Sequence, residues 1–135
     1  MRRIDNFESK EAAVEYLKAA RGFKTLREAE RFLMSHLPKE SHYQSQIINY
    51  LKENYPDAFV WKAAAGPYCR QGIPDVCAII GGRFYGFEVK RPYIGVLSKI
   101  QEQTMERIRA AGGIAGAVCL PEDVEKMISR GERQR

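Results

Sequence analysis

Several things this 135-residue chain lacks narrow its chemistry at once. No apolar run approaches the roughly 20 residues that span a bilayer. The first residues do not follow the charged, apolar, small-residue order of a signal peptide, so a cytosolic protein with no membrane partner is expected. Histidine occurs twice and cysteine three times. Cys69, Cys77 and Cys119 have no paired CxxC spacing, which argues against a zinc cage and for reduced thiols acting as small buried hydrophobes. No repeat or low-complexity tract appears, and the length suits one domain with a full core. Acids are also scarce where bases are not. Between Lys62 and Lys99 stand Lys62, Arg70, Arg83, Lys90, Arg91 and Lys99 against only Asp75 and Glu88. In a chain of net charge +5, two carboxylates in a positive field suit phosphate around a metal ion. Solvated charges at strand ends would give the same pattern.

What is present is organised around a hairpin. Val76 to Ile80 and Arg83 to Val89 are strand-like, and Gly81-Gly82 between them fits a two-residue turn. A tight turn sets Asp75 opposite Glu88, with Lys90 on the same face as Glu88. Facing carboxylates repel unless one is protonated or a cation lies between them. Oxygen ligands favour Mg²⁺ or Mn²⁺ over zinc. Lys90 would then stabilise transition-state charge, or simply pair with Glu88.

The remaining segments frame this hairpin. Residues 1–38 read as a helical hairpin extension: Ala12, Ala13, Tyr16, Leu17 and Ala20 at helical spacing up to Gly22, then a capping box at Thr25 to Glu28. Residues 39–135 read as the main domain. Its first helix, about Lys39 to Glu53, aligns Glu40 and Gln44 with Ile47 and Leu51, facing inward or into a cleft. Glu40 could equally be a first-turn acid favoured by the helix dipole, and Ser41 could be the cap. Ala58 to Ala63 is a first strand, followed by a basic, glycine-containing loop with Arg70, suited to touching phosphate. Ser98 and Gln101 form a second capping box. Ile114 to Leu120 reads as an apolar strand buried on both faces and paired in parallel across the preceding helix. Pro121 opens a short last helix, and Gly131 to Arg135 reads as a charged tail. The sum is an α/β fold with a mixed four-stranded sheet.

Gly72-Ile73-Pro74-Asp75, then twelve residues, then Glu88-Val89-Lys90 resembles the PD-(D/E)XK nuclease signature. With Glu40-Ser41-His42-Tyr43-Gln44 before it and Leu97-Ser98-Lys99-Ile100-Gln101 after it, residues 39–120 are similar to the virus-type replication-repair nuclease (VRR-Nuc) domain. The resemblance implies a restriction-endonuclease-like core. It implies Asp75 and Glu88 as metal ligands together with the Val89 carbonyl, Glu40 completing the site, Lys90 as the catalytic lysine and Gln101 lining the site. For Gln101 a plain capping role stands as the alternative. Lys62, Arg70, Arg91, Lys99 and Gln44 are the candidate DNA contacts. Stand-alone members, often from phages, are similar to homodimeric resolvases of branched DNA such as Holliday junctions, whereas the domain inside larger repair proteins cuts flaps. The expectation is thus a Mg²⁺- or Mn²⁺-dependent deoxyribonuclease acting as a homodimer on branched DNA. The rival readings are a flap nuclease, a non-catalytic DNA-binding module and a nucleotide phosphohydrolase.

Overall fold

Gly81 and Gly82 have φ of 57° and 81°, the left-handed pair that a two-residue hairpin turn requires. β2 (Val76–Ile80) and β3 (Arg83–Val89) therefore pair antiparallel, with Ile80 opposite Arg83 and Val76 opposite Phe87. β1 (Phe59–Lys62) joins β2 antiparallel, and β4 (Ile114–Val118) joins β3 in parallel, giving the mixed sheet β1-β2-β3-β4. The computed structural model describes residues 2–64 and 66–134. None of its helices is long and apolar enough to cross a membrane.

The chain divides into two units, Met1–Lys39 with Arg91–Gly95, and Glu40–Lys90 with Val96–Arg135. In the first, α1 (Lys10–Arg21) is capped by the Ser9 hydroxyl and closed by left-handed Gly22. α2 (Leu26–His36) is capped by Thr25, whose hydroxyl accepts from the Glu28 N–H. Ala13, Val14, Leu17, Ala29, Leu33 and Leu37 are the buried core between them. The segment Arg91–Gly95, which the sequence puts in the main domain, belongs here. The Tyr93 hydroxyl accepts from the Phe7 N–H and donates to the Ile4 carbonyl, both at 2.9 Å. Arg91 donates to the carbonyls of Pro38 and Leu37 at 2.9 and 3.0 Å.

The second unit holds the sheet, α3 (Glu40–Asn54), α4 (Lys99–Ala110) and α5 (Pro121–Arg133). Alternation along the strands sends Val76, Ala78, Ile80, Tyr85, Phe87 and Val89 into one buried cluster with Tyr43, Ile47 and Leu51 of α3 and Val124 and Ile128 of α5. The opposite face carries Cys77, Gly86 and Glu88, and α4 packs along β3 and β4 on the other side of the sheet from that cluster. Out towards β1 this face stays open, leaving Phe59 67% and Ile79 43% exposed beside Trp61 and Phe84.

Two sequence expectations are corrected. β4 ends at Val118 and lies at the sheet's edge, so Ala117 is exposed and the strand is not buried on both faces. Its apolar composition comes from small residues rather than from two covered faces. The final helix does not stop before a tail at Gly131; it runs to Arg133 with Gly131 buried. A Cβ at Gly131 would run into the Tyr85 hydroxyl and Ile114 Cδ1, so the residue that reads as a breaker is what lets α5 approach the sheet. Gly131→Ala should lower stability by about 1–3 kcal/mol, the usual cost of overpacking, despite the gain in helix propensity. An unchanged denaturant midpoint would contradict this close approach.

Candidate active site

The site begins with a register that the hairpin enforces. The ladder ends at Val76 opposite Phe87, and the next residues, Asp75 and Glu88, lie close enough for their side chains to hydrogen-bond. Glu88 lies on the α4-covered face of a central strand and is 1% exposed. Burial of a carboxylate in apolar surroundings is costly unless donors compensate it, and here compensation is partial. Oε1 accepts from Gln101 Nε2 at 2.9 Å and has Lys90 Nζ at 3.9 Å. Oε2 is buried with no hydrogen-bond partner, and Asp75 can bond to it only by sharing a proton. Burial above all, then hydrogen bonding to Asp75 and its charge, pushes the Glu88 carboxyl up to about 8; Lys90 opposes the rise and Glu40 adds to it.

Asp75 is held from behind by main chain. Its Oδ2 accepts from the Val89 N–H at 3.0 Å, while its own carbonyl accepts from Ala63 N–H on the β1 side. The Asp75 backbone thus faces β1, and the same alternation turns residue 74 towards β3, opposite Val89. Residue 74 is proline, which has no N–H to give to the Val89 carbonyl. Position 74 thus cannot occupy that carbonyl from the β2 side. Cys77, next to the pair, is buried, and burial followed by the charges of Asp75 and Glu88 pushes its thiol up to about 11, so it stays a neutral hydrophobe.

α4 reaches the site because Gly72 lets it. At φ +82°, a Cβ there would lie 2.6 Å from both Ile100 Cγ2 and Thr104 Oγ1. Gly86 plays the same part on the strand, where a Cβ would meet Pro74 Cγ at 2.8 Å. Gln101 then performs both functions that its position suggests. Its Oε1 accepts from the Ser98 N–H at 3.0 Å to complete the capping box, and its Nε2 donates to Glu88. The roles of Gly86 and Pro74 escaped the sequence reading. A glycine inside a strand pattern is the signal that marks such a close approach.

The other candidates fall as follows. Glu40 is the first residue of α3, with its carboxylate 3.5 Å from Gln44 Nε2, and Gln44 is buried. Glu40 is near enough for its charge to act on Glu88, yet no three His, Cys, Asp or Glu side chains form a metal-holding group among the described residues. Lys62, at the exposed end of β1, is the register partner of Val76. Arg70 lines a cavity of about 230 Å³ with Cys69, Gly72 and Asp75. Lys99 is the exposed first residue of α4. Arg91 belongs to the other unit, its guanidinium engaged by two carbonyls.

These residues fit a hard divalent cation. The orphaned Glu88 oxygen, the Asp75 carboxylate and the Val89 carbonyl are oxygen donors of the kind Mg²⁺ and Mn²⁺ take. Glu88 also makes a linkage prediction. Its ordinary value is 4.5 and its folded value about 8, so the cost of its charge is absent below about 4.5, grows with pH and is complete above about 8. The metal-free unfolding midpoint should fall over that window, and Mg²⁺ or Mn²⁺ should restore it most at the alkaline end. Glu88→Gln should lose both effects. An identical pH profile in that variant would remove Glu88 as their source.

No family model matches the sequence, and no curated protein matches it. The fold does have a solved counterpart. A structure described as a VRR_NUC domain superposes with a TM-score of 0.52 at 27% identity, covering 67% of this chain and 94% of that one. A four-stranded mixed sheet flanked by helices agrees with that likeness. This likeness supports a VRR-Nuc domain in the chain.

Proposed function

We propose that the chain is a metal-dependent endonuclease that hydrolyses DNA phosphodiester bonds, with branched DNA such as a Holliday junction as its substrate. The observation that carries this reading is the half-compensated Glu88 carboxylate, bound at one oxygen by Gln101, open at the other, and facing Asp75. Asp75, Glu88 and the Val89 carbonyl hold Mg²⁺ or Mn²⁺, with Glu40 adding negative charge from the start of α3. When bound, the cation supplies Lewis acidity at the scissile phosphate and lowers the pKa of the attacking water. Gln101 fixes the Glu88 rotamer, so the donor set is in place before substrate arrives. Lys90 sets its ammonium beside the reacting phosphate and stabilises the charge that builds up as water attacks phosphorus and the leaving oxygen departs.

Lys62, Arg70 and Lys99 supply positive charge around this centre, and Gln44 completes the proposed DNA contacts. The working form is a homodimer, because one site on so small a chain cannot cut two strands of a junction symmetrically. In the same reading the nuclease domain is the main unit, and the helical hairpin of residues 1–38 is an appended element.

The deciding experiment is cleavage of labelled four-way junction, flap, duplex and single-stranded DNA with Mg²⁺ and with Mn²⁺. Junction cleavage that needs the cation is expected. Preferential flap cleavage would replace the resolvase reading, and binding without cleavage of any substrate would leave a non-catalytic module. Lys90→Ala should slow hydrolysis by on the order of 10²–10³-fold with DNA binding retained, and Asp75→Asn should also weaken metal binding. Wild-type rates in either variant would refute the assignment. Light scattering at micromolar concentration should give twice the chain mass, and a single-chain mass would rule out the homodimer.

A further inference from the structure

The free edge of β4 borders a second feature that the proposed chemistry does not use. A cleft of about 620 Å³ opens between the end of α4 and α5, with Arg83, Arg109, Lys126 and Arg130 among its lining residues. Lys126 and Arg130 are exposed on α5, and neither is in an ion pair among the described residues. The acid in the lining, Asp123, is already committed. Its Oδ2 accepts from the N–H groups of Cys119 and Leu120 at 3.0 Å each, which holds it at the α5 entry, and its single charge is outnumbered by the four cations of the lining.

The floor is backbone. Val118 turns its carbonyl inward to accept from the Lys90 N–H at 2.8 Å, so alternate residues along β4, Ala115 and Ala117, turn their N–H and C=O groups away from β3. Arg109 agrees with this, since its Nε reaches round the edge to donate to the Ala115 carbonyl at 3.0 Å. Ala115, Gly116 and Ala117 bring little bulk of their own; Met127 packs over Gly116, and Ala117 is the exposed member. Position matters most. Ala117 is the register partner of Glu88, so the cleft starts beside the candidate active site and runs along the strand towards Gly112.

We infer that this cleft is a track for the phosphodiester backbone of a nucleic acid, continuous with the site where the strand is cut. The inference rests on the nuclease reading for the identity of the substrate. Several cations with little opposing charge suit a polyanion. Ile114 and Met127 are the larger apolar side chains in the lining and neither is aromatic, so the charged groups set its character. A five-residue strand is about 16 Å long, and one strand of duplex DNA presents a phosphate every ~3.4 Å along its axis, so several phosphates can lie beside the cleft.

The test is fluorescence anisotropy of labelled duplex DNA against salt concentration, without divalent cation so that nothing is cut. It compares the full chain with Lys126→Glu, Arg130→Glu and the double variant, with unfolding midpoints measured alongside. The double variant should bind at least about tenfold more weakly, and its log Kd against log salt slope should fall by about 2, one unit per lost phosphate contact. Should the double variant fail to fold, each single variant should show half the slope change. Wild-type affinity and slope in folded variants would overturn the inference. So would wild-type DNA binding by variants that had lost binding of polyglutamate, which would give the cleft to an acidic protein. Lys90→Ala separates this from the nuclease reading, because it tests cleavage and leaves the cleft intact. If no DNA is cut while the cleft variants still lose DNA affinity, the cleft stands and the nuclease reading falls.

Discussion

The interaction on which the second unit turns is the opposition of Asp75 and Glu88 at the end of the hairpin. Two carboxylates facing across an antiparallel pair are unfavourable, and burying one of them makes matters worse. The chain compensates without neutralising. Val89 N–H holds Asp75, Gln101 holds one oxygen of Glu88, and Lys90 stands at a looser 3.9 Å. A tighter lysine pair or a second donor on Oε2 would make the apo protein more stable and the site less able to take a cation. The structure stops short of that, and the remaining electrostatic stress is what a divalent ion would relieve. In the proposed reading, relief of that stress would contribute to the affinity for a cation.

Much of this was readable because it depends on local rules. Two adjacent glycines between strand-like runs set the turn, the turn set the register, and the register brought Asp75 to Glu88. The Ser98 to Gln101 capping box and the Gly22 and Thr25 helix boundaries are equally local. What escaped depends on contacts between distant residues. Gln101 poses a choice between capping and lining the site only if its amide is treated as one group; in three dimensions its carbonyl and its NH₂ point to different partners. Gly131 looks like a helix breaker until Tyr85 and Ile114 are seen to occupy the space of its missing side chain. Arg91–Gly95 follows β3 directly, yet its hydrogen bonds go to residues more than fifty positions earlier. No window along the sequence contains both ends of such a contact.

Glycine and proline divide the remaining work in a way that composition alone hides. Gly72 admits α4, Gly86 admits Pro74, and Pro74 withholds the N–H that would otherwise engage the Val89 carbonyl. Each acts by something absent, a Cβ or a donor. A motif of the form Gly-x-Pro-Asp therefore has a structural reading that does not depend on likeness to any other protein. The first residue lets a helix close in, the third brings no N–H to the facing strand, and the fourth supplies the carboxylate beside it.

Strand order adds one more consequence. β3 is antiparallel to β2 on one side and parallel to β4 on the other, so Glu88 has Asp75 as one neighbour and Ala117 as the other. On the β2 side a charged partner creates the electrostatic stress of the site. On the β4 side a methyl group and an unpaired strand edge leave room. A bulky or acidic residue at position 117 would crowd or repel a phosphate backbone just where it leaves the carboxylates, while a fifth strand would cover the edge altogether. The sheet ends at β4, with cations on the helices to either side and a small residue next to Glu88. That combination leaves an open, positively charged cleft beside the Asp75 and Glu88 carboxyls.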